Sequence, residues 1–331
     1  MLNEIQGLPA GFLDAAAEDM KRLLQTPSLI HLEGKNPQPL FISTLLHGNE
    51  DSGLKALQII LKKFENKTLP RALSIFIGNV SAAEKNMRKL DAQPDYNRVW
   101  PGTDSDACEE TRLMQRVVDV MKKRKPFASI DLHNNTGRNP HYGCVNRMSA
   151  QYLQLARLFS HTVVYFSTPK GVQSEAFSVI CPAVTLECGK VGEKDGVSHA
   201  ARYIETVMQL ETLPDHVPGD IDLLHTVGRV TINTALDFDF DGSGDLALDG
   251  SIELYNFRQV KENTRFATLM TNTTNAFDVW DDEGNNVYDE YFKLDGQHVV
   301  LKKTMMPSMF TKNTDIIRQD CLCYLMEHID Q

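Results

Sequence analysis

The sequence predicts an α/β protein with a mostly parallel or mixed central sheet flanked by helices, followed by a smaller β-rich C-terminal domain. Three observations predict this architecture. Short apolar runs alternate with amphipathic stretches in the first two thirds of the chain, as in sheets covered by helices on both faces. These runs are unbroken, which is typical of strands buried on both sides. After the segment PDHVP at 214–218, short β-type runs separated by Asp-Gly and Glu-Gly turns replace that pattern.

The first part of the chain is predicted to contain five strands and four helices. Strands are predicted where a short apolar run ends at Gly, His or a polar residue, and helices where apolar residues recur every three or four positions. In chain order the elements are strand 40–46, helix 51–64, strand 73–77, helix 106–123, strand 128–132, helix 150–159, strand 162–166, strand 183–186 and helix 197–210.

The change of pattern also predicts the domain boundary. A chain of 331 residues is long for a single core, so two domains are expected. We place an α/β domain that carries the chemistry at 1–218 and a β-rich domain at 222–331. The β-type runs that define the second domain are 226–232, 251–255, 267–270 and 299–301.

Charge and composition exclude some classes of partner. The net charge is −10 and the pI is about 5.5, whereas nucleic acids and anionic membranes require a basic face. No basic N-terminal region precedes an apolar core, and no stretch approaches the 18 apolar residues of a membrane span. The six cysteines contain no CxxC pair, so free thiols in a reducing cytoplasm are expected. The sequence is compatible with a homo-oligomer but locates no apolar face for one.

Three of the predicted strands end on residues that bind metals or move protons. His47 and Glu50 follow the first strand, His133 follows the third, and Glu187 ends the last. Because ligand sites in open α/β sheets lie at the carboxyl ends of strands, these side chains are expected to converge. Two histidines and one carboxylate form a catalytic zinc set that leaves one position open for water. We therefore predict one zinc ion per chain, held by His47, Glu50 and His133.

A zinc hydrolase also needs a group that takes a proton from water and passes it to the leaving amine. Glu187 arrives on its own buried strand and is the candidate. Asp131 lies two residues before His133 and therefore points to the same side of the strand. It is expected to orient the imidazole of His133.

Five motifs together resemble the succinylglutamate desuccinylase/aspartoacylase family, within the larger zinc-carboxypeptidase fold group. The resemblance covers roughly residues 40–200, and the β-rich domain follows in the expected place. Its motifs are specific in order and spacing: HGNE at 47–50, GN at 78–79, NR at 97–98, DLHNNT at 131–136 and TLECGK at 185–190.

The resemblance implies the same zinc ligands and makes Glu187 the general base. It further implies that Asn97 and Arg98 hold the α-carboxylate of the amino-acid product, a contact suited to the planar guanidinium. The family also has an arginine about seven residues before that asparagine, where it assists the polarised carbonyl. Position 90 is Leu here, and the nearest arginine, Arg88, lies nine residues before Asn97. Arg88 takes this role if the longer loop folds back.

The acyl group is not determined by the motifs. A dicarboxylic acyl tail would need another basic residue in the pocket, and the candidates are Arg138, Arg147 and Lys170. If none of them lines the pocket, a neutral acyl group such as acetyl is expected.

The acidic segment Asp237 to Asp245 mimics the start of a calcium-binding loop. Acidic residues occupy loop positions 1, 3, 5 and 9, and Gly242 occupies position 6. Position 12 is Leu248, where a bidentate glutamate is required. A turn-rich acidic hairpin is therefore expected instead of a calcium site.

Three functions are compatible with these residues. The favoured one is a zinc-dependent amidohydrolase that cleaves a small N-acyl amino acid into a carboxylate and a free amino acid. A zinc carboxypeptidase acting on a peptide C-terminus shares the zinc, the base and the carboxylate-binding arginine; a β-rich domain narrowing the entrance would favour the smaller substrate. A non-catalytic binding module is disfavoured because His47, Glu50, His133 and Glu187 are all present.

Overall fold

A computed structural model describes residues 2–329 of the chain. Its backbone divides into two compact units. Among the described residues, the first comprises 2–134, 141–165 and 169–222, and the second comprises 135–140, 166–168 and 223–329. The short excursions at 135–140 and 166–168 were not anticipated, because contacts in space define them and no change in sequence pattern marks them.

The first unit is built on a mixed sheet with the strand order β1-β2-β4-β3-β5-β8-β6-β7. Strands β3, β4 and β5 run parallel, while β2 is antiparallel to β4 and β6 is antiparallel to β8. The strands are β1 Asn3–Gln6, β2 Ser28–Leu32, β3 Gly34–Thr44, β4 Leu69–Ile77, β5 Ala128–Asn135, β6 Tyr142–Val145, β7 Thr162–Tyr165 and β8 Ala183–Lys190.

Seven helices belong to the described part of the first unit. Four of them correspond to the predicted helices, and the other three were not predicted. The helix at Ser52–Lys63 buries Leu54, Leu57 and Ile60, as their spacing predicts, and packs against the helix at Lys194–Gln209. The helices are α1 Met20–Leu24, α2 Ser52–Lys63, α3 Val80–Ala83, α4 Glu109–Arg124, α5 Ala150–Arg157, α6 Gln173–Ser178 and α7 Lys194–Gln209. A single turn of 3-10 helix at Ala17–Asp19 precedes α1.

An aromatic cluster fills one side of this sheet. Phe41 of β3 stacks on Phe177 of α6 with ring centroids 4.2 Å apart, and Trp100 meets both Phe76 and Phe177 edge to face. All four side chains are fully buried. Burying large aromatic rings contributes much of the hydrophobic stabilisation of such a core. Through the buried Trp100, the cluster anchors the loop after α3 against the sheet.

The second unit is β-rich and has its own core. Strand β9 is antiparallel to both β13 and β17, and a separate sheet has the order β10-β11-β12-β15-β14. The elements are β9 Asp222–Ile232, β10 Phe238–Asp239, β11 Leu246–Leu248, β12 Arg265–Leu269, β13 Phe277–Trp280, α8 Tyr288–Tyr291, β14 Phe292–Asp295, β15 His298–Leu301, β16 Met306–Ser308, α9 Thr314–Gln319 and β17 Cys323–His328.

Two local predictions in this unit are wrong. The run 251–255 is a turn of 3-10 helix at Ile252–Tyr255, because Asp249 Oδ1 accepts from the backbone N–H of Ser251 and turns the chain. The acidic segment is not a hairpin, since β10 and β11 pair in parallel. Asp239 Oδ1 accepts from the N–H groups of Asp241 and Gly242, which coils the loop so that the chain resumes its direction.

None of the helices within residues 2–329 combines the length and the apolar character needed to cross a membrane.

Candidate metal centre and active site

The first part of the site is a sharp turn after β3. Strand β3 ends at Thr44, and Leu45 has a φ of 54°, a backbone conformation that is uncommon for non-glycine residues. Gly48 follows His47 because a Cβ at that position would lie 2.2 Å from the backbone nitrogen of Ala83. Close packing against α3 thus fixes the direction in which His47 leaves the sheet.

His47, Glu50 and His133 meet at a single buried point. His47 Nδ1 lies 2.8 Å from Glu50 Oε1, and His133 Nδ1 lies 2.9 Å from Glu50 Oε2. The candidate ligand atoms of the three residues all lie within 4.8 Å of one another. Each side chain is almost completely buried. The structure therefore brings together the three residues predicted from the strand ends.

A second carboxylate stands behind each imidazole. His47 Nε2 lies 3.0 Å from Asp95 Oδ1, and His133 Nε2 lies 2.8 Å from Asp131 Oδ2. Asp131 is fully buried and is itself held by the hydroxyl of Ser43 at 2.7 Å. A carboxylate that accepts the Nε2–H of an imidazole leaves the Nδ1 lone pair for a metal. Strand alternation correctly places Asp131, whereas Asp95 was not foreseen.

Electrostatics keep the carboxylate of Glu50 ionised. Burial disfavours the ionised form of Glu50, but His47 and His133 more than compensate and hold the pKa of this carboxyl well below its usual range. Burial likewise opposes protonation of His133, yet Asp131 and Glu50 raise its pKa well above the ordinary value. Glu50 consequently stays ionised at all physiological pH values, as a carboxylate ligand of a cation must.

Glu187 lies on β8, in register with Tyr142 of the neighbouring strand β6. Burial raises the pKa of Glu187 to about 7, with the nearby charge of Glu50 adding to the effect while His133, His47 and Arg88 oppose it. Its Oε2 atom is buried and forms no hydrogen bond. Such an unpartnered carboxylate oxygen costs free energy, and a catalytic role is one reason for a protein to retain it. The charges that act on Glu187 thus include those of His133, Glu50 and His47, the residues of the candidate metal centre.

Arg88 also reaches the site, although it is not helical. Helix α3 ends at Ala83, and Arg88 lies on the loop that follows it. Its Nε and Nη2 atoms donate to Asp95 Oδ2 at 3.1 and 2.9 Å, and its Nη1 atom lies 3.9 Å from Glu50 Oε1. The longer loop between Arg88 and Asn97 therefore folds back.

Asn97 and Arg98 follow on the same loop. Asn97 Nδ2 lies 3.2 Å from His133 Nε2, and Asn97 Oδ1 accepts from the backbone N–H of Gln173 at 2.9 Å. Arg98 Nη1 donates to the carbonyl oxygen of Asn97 at 2.9 Å. Gln173, the first residue of α6, was missed. Gln173 is completely buried and its Oε1 atom has no hydrogen-bond partner. Its position near Asn97 depends on tertiary structure and could not be predicted from the sequence pattern.

The three cations considered for an acyl tail have surface positions. Arg147 is exposed and its Nε donates to the hydroxyl of Ser178 at 3.3 Å, while Lys170 Nζ pairs with Glu175 at 3.3 Å. Arg138 is also exposed. Their observed contacts thus assign none of the three to the acyl group.

The acidic segment in the second unit does not form another such centre. Throughout residues 2–329, the group of His47, Glu50 and His133 is the one set of three or more His, Cys, Asp or Glu residues close enough to hold a metal ion. The carboxylates of Asp237, Asp239 and Asp241 are instead used by Arg318, by Ser243 and by backbone N–H groups of their own loop.

A mixed α/β sheet with a buried His–Glu–His group at its strand ends is an arrangement typical of metal-binding enzymes. Comparison with known families then identifies the family. Residues 37–210 match the model of the succinylglutamate desuccinylase/aspartoacylase catalytic domain. The chain belongs to this family of acyl-amino-acid hydrolases, which confirms the prediction made from the five motifs.

Solved structures of the family share the fold. Succinylglutamate desuccinylase from Vibrio parahaemolyticus superposes with a TM-score of 0.61 at 15% identity, covering 91% of this chain and 86% of its own. The enzyme from Chromobacterium violaceum gives 0.60 at 13%, covering 92% and 89%. Murine aminoacylase 3 gives 0.58 at 14%, covering 89% and 96%. At such identities the likeness establishes the fold, and the predicted fold class is confirmed. No curated protein sequence matches the chain.

Proposed function

We propose that this protein is a zinc-dependent amidohydrolase that cleaves the amide bond of a small N-acyl amino acid. The observation that carries the proposal is the convergence of two imidazole Nδ1 atoms on the Glu50 carboxylate. The buried Glu187 supports it, because its Oε2 atom has no hydrogen-bond partner. We also propose a cytoplasmic location, because all six cysteines are free thiols.

The donor set fits zinc. His47, Glu50 and His133 would hold the ion, one per chain, since two imidazoles and a carboxylate are a common catalytic zinc set. Both imidazoles already present Nδ1 to a common point and have carboxylates behind Nε2, which is the usual support of a metal-bound histidine. A bound zinc ion supplies a water molecule of lowered pKa and a Lewis acid for the amide carbonyl.

We propose that Glu187 is the general acid–base group of the reaction. As the general base it takes a proton from the attacking water, and as the general acid it gives this proton to the nitrogen of the leaving amine. Its free Oε2 atom can accept the first hydrogen bond without losing an existing partner. Its burial keeps competing bulk water away from the transferred proton.

Three side chains on one loop are proposed to hold the substrate. Asn97 and Arg98 bind the α-carboxylate of the amino-acid part, a charge-assisted contact. Arg88 stabilises the negative charge that develops on the carbonyl oxygen, and its Nη1 atom already faces the metal group. These roles come from the family resemblance and are supported by the position of all three residues on the loop beside His47 and His133.

For the acyl group we propose a neutral chain such as acetyl. The cations that would match a second carboxylate, Arg147 and Lys170, form contacts with Ser178 and Glu175, and Arg138 is exposed. If no other cation meets the second carboxylate of a succinyl tail, burying that charge is costly.

The decisive experiment is a substrate panel with the zinc-loaded and the chelator-treated protein: N-acetylaspartate, other N-acetyl amino acids, N-succinylglutamate and a peptide with a free C-terminus. Zinc-dependent release of an amino acid from an N-acetyl substrate would support the proposal. Cleavage of succinylglutamate alone would refute the neutral acyl group. Cleavage of the peptide alone would show that the protein is a carboxypeptidase. Equal activity before and after treatment with the chelator would refute the proposed zinc dependence.

The activity should depend on pH through Glu187. The carboxyl must be ionised to accept a proton, and its pKa of about 7 is raised by burial from 4.5. We expect kcat/KM to rise with pH on the acid side, with a midpoint well above 4.5 and, because a cation nearby favours the carboxylate, no higher than about 7. A pH profile measured at saturating zinc with a midpoint at 4.5 or below would contradict this assignment.

A further inference from the structure

Asp95 holds two parts of the site at once. Its Oδ1 atom accepts from His47 Nε2 at 3.0 Å and from the backbone N–H of Asn97 at 2.7 Å. Its Oδ2 atom accepts from Arg88 Nε at 3.1 Å and from Arg88 Nη2 at 2.9 Å. The side chain is 15% exposed, so water cannot easily replace these partners. One carboxylate therefore joins a proposed metal ligand, a proposed carbonyl-stabilising arginine and the loop that binds the substrate.

The contact with Arg88 explains how a loop of unusual length still delivers its guanidinium. Arg88 lies nine residues before Asn97, against about seven in the family pattern. With Nε and Nη2 both directed at Asp95 Oδ2, the guanidinium has its Nη1 edge towards Glu50, at 3.9 Å. The carbonyl oxygen of Arg88 also accepts from the backbone N–H of Gly48 at 3.1 Å. The two additional residues are accommodated between these fixed points.

We propose that Asp95 is a positioning residue that couples the metal ligand His47 to Arg88, so that zinc binding and stabilisation of the carbonyl oxygen share one support. This inference rests on the proposed function for the role of Arg88. The half that concerns His47 does not require any activity, because it depends on zinc affinity alone.

A carboxylate is the group that this position needs. It accepts hydrogen bonds at both oxygens and donates none, and it faces donors on both sides. An asparagine amide would turn its NH₂ group towards either Arg88 or His47, and donors would then oppose donors. Carboxylates that support a metal-bound histidine typically change metal affinity or activity by about 10- to 100-fold when they are removed.

The test compares Asp95→Ala, Arg88→Ala and the double variant with Asp91→Asn, an exposed carboxylate of the same loop. Zinc affinity is measured by competition with a chromogenic chelator, and kcat is measured at saturating zinc on the substrate found in the panel. We expect Asp95→Ala to weaken zinc binding about 10- to 100-fold, while Arg88→Ala and Asp91→Asn leave it within about twofold. The kcat of the double variant should be only slightly lower than that of Asp95→Ala, because the effects of substitutions at two coupled residues do not add.

Two results would overturn the proposal. If Asp95→Ala binds zinc within about twofold of the wild type, Asp95 does not support His47. If the kcat losses of the two single variants multiply in the double variant, Asp95 does not position Arg88. Asp95→Asn, which keeps the shape of the side chain, should show the same pattern to a smaller degree and guards against misfolding of the alanine variant. If no substrate of the panel is hydrolysed, the zinc titration still decides whether Asp95 supports His47.

Discussion

Replacing Glu187 with glutamine should lower kcat by about 10²- to 10⁴-fold, the range that general acid–base catalysis contributes, while zinc remains bound. Glutamine has nearly the same shape but cannot accept a proton from water or return it to the amine. Because Glu187 Oε2 has no hydrogen-bond partner, and because burial already disfavours its ionised form, the neutral amide should fit without loss of stability.

The measurement combines steady-state kinetics with metal analysis of the purified variant. Glu211→Gln is the matched control, because Glu211 is an exposed carboxylate in the same unit, and it should behave as the wild type does. A Glu187→Gln protein with one zinc per chain and a kcat within tenfold of the wild type would show that another group moves the protons.

Replacing His47 or His133 with alanine should abolish zinc binding and activity together. Each imidazole presents its Nδ1 atom to the Glu50 carboxylate from a buried position, so no solvent-exposed group can take its place as a ligand. A bound metal ion contributes several kcal/mol to the stabilisation of the transition state, and its loss should therefore lower kcat/KM by more than about 10³-fold.

Zinc content after dialysis and the zinc-dependent rise in Tm are the two measurements. Ligand that binds only the folded state raises its stability, so the wild type should show the rise and both alanine variants should not. His216→Ala, at an exposed position of the same unit, is the control and should keep both properties. Full zinc occupancy in both His47→Ala and His133→Ala would mean that the metal is held elsewhere.

The positions of four site residues could be predicted because local geometry determines them. These residues are His47, Asp131, His133 and Glu187. Residues that end buried parallel strands come out at one edge of a sheet, and side chains two apart on a strand share a face. His47, His133 and Glu187 lie just beyond or within β3, β5 and β8, and Asp131 faces His133 as alternation requires. The roles assigned to them remain predictions until the experiments above are done.

Other members of the site could not be found in this way. Asp95 and Gln173 lie on a loop and at the start of a six-residue helix, where no periodicity relates one side chain to another. A carboxylate two residues before Asn97 was the only available signal for Asp95. Strands β1, β2 and β6 were not predicted. The directions of the predicted strands were also open, because an apolar run looks alike whether its neighbours are parallel or antiparallel.

The sequence by itself determined the fold class, the family and the group of residues that can hold a metal, because each depends on residue type and spacing along the chain. Only the tertiary structure decided which carboxylate stands behind His47, how Arg88 returns across a longer loop, and that Glu187 is left with an unpartnered oxygen. These features arise where segments distant in sequence meet, and the energies of burial and hydrogen bonding that select them exist only once the chain has folded.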